Sequence, residues 1–189
     1  MNSRNILHLE NALRPVLQQG NLAECEKALT DQLRALPPSP FNLVLECSFT
    51  NDMTQVARFF DEFIQREEQR FSIRAAYAEM NGFDINTDVW FFSAFAFDKY
   101  GGHDDYDWLS DWQSEDSEIF PLEGMESLQR VFAGEAFQDE KFSEAASVTS
   151  LLVVVKFQEL VRRAARLMKH RRFPLLATAH DYDFIYEVS

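Results

Sequence analysis

Eighteen phenylalanines among 189 residues, against six glycines and six prolines, constrain this chain more than any other feature. So many rings cannot all remain in water, so the chain must close around a core of aromatic faces and edges. Few glycines and prolines leave little material for a loop-rich scaffold. At 46% hydrophobic and 26% charged residues the composition is globular rather than disordered. Two cysteines, Cys25 and Cys47, are too few for a disulfide framework and fit a reducing compartment.

Residues 4–19 read as a helix carrying Leu7, Leu13 and Leu17. After Gly20, Asn21 and Glu24 resemble a capping box opening a second helix, with Leu22, Cys25, Leu29, Leu33 and Leu36 on one stripe. Pro37, Pro38 and Pro40 end it and form the clearest linker. The pattern predicts an N-terminal helical hairpin over 1–36, followed by a single α+β domain over 41–189. Residues 41–49 alternate apolar and polar, which predicts a strand with one buried side. Thr50, Asn51 and Asp52 cap a helix whose Val56, Phe59, Phe60, Phe63 and Ile64 form an apolar stripe. Strands are expected over 71–80 and 89–97, the second apolar on both faces as a central strand is. A short helix over 123–134 and a long one over 143–170 precede strands at 175–179 and 184–188. This order predicts a split βαβ, ferredoxin-like arrangement, one antiparallel sheet with helices on one face.

Charge is segregated along the chain, whose net charge is -13. Residues 98–126 hold ten acids and one lysine, whereas residues 162–172 hold six arginines and lysines and no acid. An acidic surface repels phosphate backbones and anionic lipid, which argues against general nucleic-acid or membrane binding. Arg162, Arg166 and Lys169 share a helix face, but no basic loop or aromatic platform accompanies them. No apolar run is long enough to span a bilayer, and the N-terminus lacks the pattern of a signal sequence; a cytoplasmic protein is expected.

The most distinctive segment is the long acidic loop at 99–121. It carries Asp104, Asp105, Tyr106, Asp107, Trp108, Asp111 and Trp112. Aromatic anchors ringed by carboxylates suit a hot spot that draws in a basic protein partner, with no cofactor involved. Asp-Tyr-Asp recurs near the C-terminus, and His103, Asp105, Asp107, His180, Asp181 and Asp183 offer an alternative: a metal-dependent hydrolase or transferase, should the two segments meet. No nucleophile elbow, phosphate loop or regular metal-ligand spacing supports other catalysis.

In size, acidity, phenylalanine content and the run from Asp104 to Trp112, the chain resembles the immunity proteins that bacteria make against antibacterial toxins. The resemblance implies a non-enzymatic inhibitor that docks its acidic, aromatic loop on a basic toxin surface. It implies no catalytic residue.

Overall fold

The structure, a computed structural model, describes residues 3–82, 88–103 and 105–188. In chain order its elements are α1 (Ser3–Gln18), α2 (Leu22–Ala35), α3 (Met53–Glu67), β1 (Ala75–Met80), β2 (Phe91–Phe97), β3 (Phe120–Pro121), α4 (Glu126–Phe132), α5 (Ser143–Ala165), β4 (Leu175–Ala179) and β5 (Tyr186–Val188). The fold is α+β, with a sheet ordered β3-β2-β1-β4-β5. That sheet is mixed rather than antiparallel: β1 runs antiparallel to β2 but parallel to β4.

The ferredoxin-like order is not what forms, because its first strand is missing. Residues 40–45 make a 3-10 helix instead. Pro40 sits at its first turn, and Ser39 and Asn42 cap it reciprocally. Phe41 and Val44 are the buried pair, three residues apart, so the apolar residues follow the period of a tight helix.

Other local signals act as the sequence suggests. Asn21 accepts from the Glu24 N–H at the start of α2. Asp52 accepts from the Thr54 N–H at the start of α3. The long helix stops at Ala165, short of the expected end, and the buried Asp61 carboxylate accepts from the backbone N–H groups of Lys169 and His170 beyond it. Leu22, Cys25, Leu29 and Leu33 of α2 join the same buried cluster as α5.

Helix α5 is enclosed on every side over its first half, where every residue from Ala145 to Val155 is buried, Ser147, Thr149 and Ser150 included. It packs on α1, α2, α3, β4 and β5. The sheet face toward it carries Ala76, Ala78, Ala94, Ala96, Ala177 and Ala179, whose small side chains let the helix approach closely. Gln158 of α5 donates to the carbonyls of Ala177 (3.1 Å) and Phe184 (2.6 Å), tying helix to sheet. On the same face Phe92 is a hub of rings, with centroids 5.2 Å from Phe59, 5.4 Å from Phe60, 5.2 Å from Phe120 and 5.5 Å from Phe157. Removing it leaves a hole that four rings cannot all close. Phe92→Ala is expected to cost about 3–5 kcal/mol in denaturant unfolding.

Glu10 of α1 is 4% exposed, and its Oε1 has no hydrogen-bond partner among the described residues. Burial, aided by Asp183, pushes its carboxyl up to about 7 against an ordinary 4.5, with Arg14 opposing. A raised carboxyl favours the folded state only while protonated. Its relative stabilisation is complete below about pH 4.5 and is lost as pH rises through 7. Glu10→Gln is therefore expected to gain ~2–3 kcal/mol over wild type at pH 8 and little at pH 4, measured by urea unfolding at both.

Candidate functional site

The face of the sheet turned away from α5 is also apolar, and this determines where the acidic loop goes. Ala75, Tyr77, Phe97, Leu176 and Ile185 form a second buried cluster there. The chain after β2 folds back across it, laying Tyr106, Trp108 and Leu109 on the cluster. Trp108 meets Phe97 edge-on with centroids 4.9 Å apart, and its ring nitrogen donates to the Gly102 carbonyl at 3.2 Å. A Cβ on Gly101 would lie 2.3 Å from the Trp108 ring, so glycine is required for this approach.

Two further attachments fix the loop. Along the outer edge of β2, the Ser117 and Ser114 hydroxyls accept from the N–H groups of Ala94 (2.8 Å) and Ala96 (3.0 Å), and the Gln113 side chain accepts from Asp98 N–H (2.9 Å). These polar side chains satisfy a strand edge that β3 is too short to cover. At the end of α3, the fully buried Glu67 carboxylate accepts from Arg66 (2.8 Å), Arg70 (2.5 Å) and the Glu115 N–H (3.3 Å). Arg70 also reaches the Glu115 carboxylate at 3.5 Å. Burial pushes the Glu67 carboxyl up, but the bonds from Arg66, Arg70 and Glu115 outweigh it and hold it below its ordinary value.

The two indoles have different surroundings. Trp108 is half-buried and serves as an internal strut, whereas Trp112 is 44% exposed, resting on Phe95 with centroids 5.0 Å apart. Asp98, Asp105, Asp107 and Asp111 are exposed. Asp105 spends one oxygen on the Asp107 N–H, and Lys99 pairs with Asp111 at 3.3 Å. Asp104 lies outside the described residues. Tyr106 is half-buried, its hydroxyl 3.3 Å from His103 Nδ1.

The two His/Asp segments are not drawn into one ligand set. His103 joins Tyr100 (3.0 Å) and Glu187 (3.3 Å), while Tyr100 donates to Glu187 at 2.6 Å. Burial first, then that carboxylate, pushes the Tyr100 hydroxyl upward. His180 instead lies 3.2 Å from Glu79. The two imidazoles thus meet different carboxylates, Glu187 on β5 and Glu79 on β1. Residues 180–185 connect β4 to β5, and Asp181 takes the left-handed conformation there (φ 65°), as aspartate tolerates in turns. Among the described residues no group of three or more His, Cys, Asp or Glu side chains is arranged to hold a metal ion.

Cys25 and Cys47 are free, and burial pushes the Cys25 thiol up to about 11, away from thiolate chemistry. The basic segment has its own partners: Arg162 chelates Glu159 with two bonds of 2.7 Å, and Arg171 donates to the Val188 carbonyl. Among the described residues no ion pair joins it to the acidic loop, and no helix is long and apolar enough to cross a membrane. No family model, curated protein or solved structure matches the chain.

Glu67→Gln tests the clamp. Arg66 and Arg70 are about two-fifths exposed and can rehydrate, so a loss of ~1–3 kcal/mol at pH 7 is expected. A depressed carboxyl stabilises the fold above its ordinary 4.5 and stops doing so as pH falls through its lower folded value. Wild-type stability should therefore fall more steeply than the variant's on acidification below about pH 4.5, as read by urea midpoints across pH.

Proposed function

We infer that this chain is a non-enzymatic binding protein that holds a basic protein partner on its acidic loop, in the manner of an immunity protein neutralising a toxin. The observation that carries the reading is Trp112, a large ring left 44% exposed beside Phe95, in a segment whose ten acids face one lysine. Single exposed apolar residues are common. One that rests on a half-buried ring, in a segment rich in carboxylates, has the form of an interface anchor. In this reading Trp112 is the anchor, Asp104, Asp105, Asp107 and Asp111 steer the encounter, and Trp108 and Tyr106 hold the loop to the sheet. A second feature supports it: the loop is fastened at Trp108, Ser114, Ser117 and Glu67, so little further ordering is required on binding.

The test is kinetic. With a basic partner recovered from native extract, changing Asp105, Asp107 and Asp111 to Asn should slow association about tenfold or more at low salt and flatten its salt dependence. Trp112→Ala should leave association nearly unchanged and speed dissociation by roughly tenfold or more. Association rates indifferent to the three carboxylates would overturn the reading.

A further inference from the structure

The rings of the loop lie on the outer cluster around Ala75, Tyr77, Phe97, Leu176 and Ile185. Beyond Tyr77 and Phe95, toward the carboxyl ends of the parallel strands β1 and β4, the described residues leave a depression of about 230 Å³. Ligands of open sheets with parallel strands characteristically gather at those ends. Glu79, Phe91, Ser93, Phe95 and His180 line it. Glu79 and Ser93 are cross-strand partners, which sets Glu79 beside the β2 residues Phe91 and Phe95 that also line the depression. His180 Nδ1 (3.2 Å) and the Tyr77 hydroxyl (3.4 Å) both contact Glu79 Oε1, and among the described residues no hydrogen bond engages Oε2. The side chain of Glu79 is 27% exposed.

We propose that this depression receives one arginine side chain of the basic partner, with Glu79 as counter-ion and the Phe91 and Phe95 rings as walls. The chemistry suits a guanidinium: it is flat enough to lie along a phenyl ring, it stays charged, and its forked N–H groups match a carboxylate. The site also continues the surface already described. Phe95 is both a wall of the depression and the ring beneath Trp112. A partner held at Trp112 would therefore bring its adjoining basic side chains over Glu79. This assignment rests on the reading of the acidic loop as a docking surface and narrows it to a residue type.

A probe that needs no partner tests it. The full-length chain, isotopically labelled, is titrated with N-acetyl-arginine methylamide and, separately, with the uncharged citrulline analogue. Saturable amide shifts at Glu79, Ser93 and Phe95, with a dissociation constant on the order of millimolar, are expected for arginine alone. Glu79→Gln should weaken the arginine probe at least fivefold. Ser93→Lys, which sets an ammonium beside Glu79 from an outward-facing strand position, should abolish its binding and serves if Glu79→Gln does not fold. Equal shifts from the citrulline probe, wild-type affinity in either folded variant, or no saturable shift up to about 20 mM would overturn the proposal. Arginine binding alongside association rates indifferent to the loop aspartates would retire the docking reading and leave this pocket standing. Loop-dependent association without arginine binding would retire the pocket alone.

Discussion

A sheet that is apolar on both faces must be covered on both, and most of this structure follows from that requirement. In β1 and β2 the residues facing α5 are small or aromatic, and those facing away include Tyr77, Phe95 and Phe97. Helices α3 and α5 cover one side. Nothing in the chain order supplies helices for the other, so the segment after β2 folds back to do so. Its aromatic and acidic residues then belong to one strip with two sides: Tyr106, Trp108 and Leu109 turn inward, and Asp105, Asp107 and Asp111 stay in water. A loop without rings would leave apolar strand surface wet; one without carboxylates would be a patch prone to association.

Where local periodicity decided the conformation, the sequence was readable. The stripe of α3, the largely buried α5 and the two-sided β2 are such cases, as are the caps at Asn21 and Asp52. Residues 41–49 alternate well enough over nine positions to imitate a strand. Yet Pro40 after Ser39, with Asn42 following, was a visible signal for a tight helix. The mixed sheet was out of reach for a different reason: whether β4 lies beside β1 in parallel depends on how α4 and α5 cross over, a long-range choice that no local pattern encodes. The exposed loop carboxylates could be anticipated from charge alone. The division of labour between Trp108 and Trp112 could not, since it depends on which indole reaches Phe97 and which reaches Phe95. Glu67 was missed although it carried a signal. It continues the buried stripe of Val56, Phe60 and Phe63, and a carboxylate on an apolar stripe beside Arg66 and Arg70 invites the question of what it holds.

The segregated charges remain segregated in three dimensions. Had the basic segment lain against the acidic loop, each would have neutralised the other. Instead Arg162 is occupied by Glu159 and Arg171 by a carbonyl, while Arg163, Arg166, Lys169 and Arg172 face solvent. The acidic face therefore keeps its field, which at physiological salt extends about a Debye length, ~8 Å, from the surface. That range is enough to orient an approaching basic protein before contact, and the effect acts on the rate of encounter more than on the lifetime of the complex.

Lifetime needs contacts that exclude water, and here the loop's attachments matter more than its charge. A free acidic loop would collect cations but lose the gain to ordering, since each rotamer-rich side chain fixed at an interface costs roughly 0.5–1.5 kcal/mol. In this chain most of that ordering is completed on folding. Trp108 sits in the outer cluster, the serines are bonded to the β2 edge, and Glu67 holds the Glu115 backbone. Trp112 and its surrounding carboxylates are thus presented on a fixed support, with Phe95 joining them to the Glu79 depression. Trp108, half-buried against Phe97, holds the loop to the sheet, and on that support Trp112 rests exposed against Phe95.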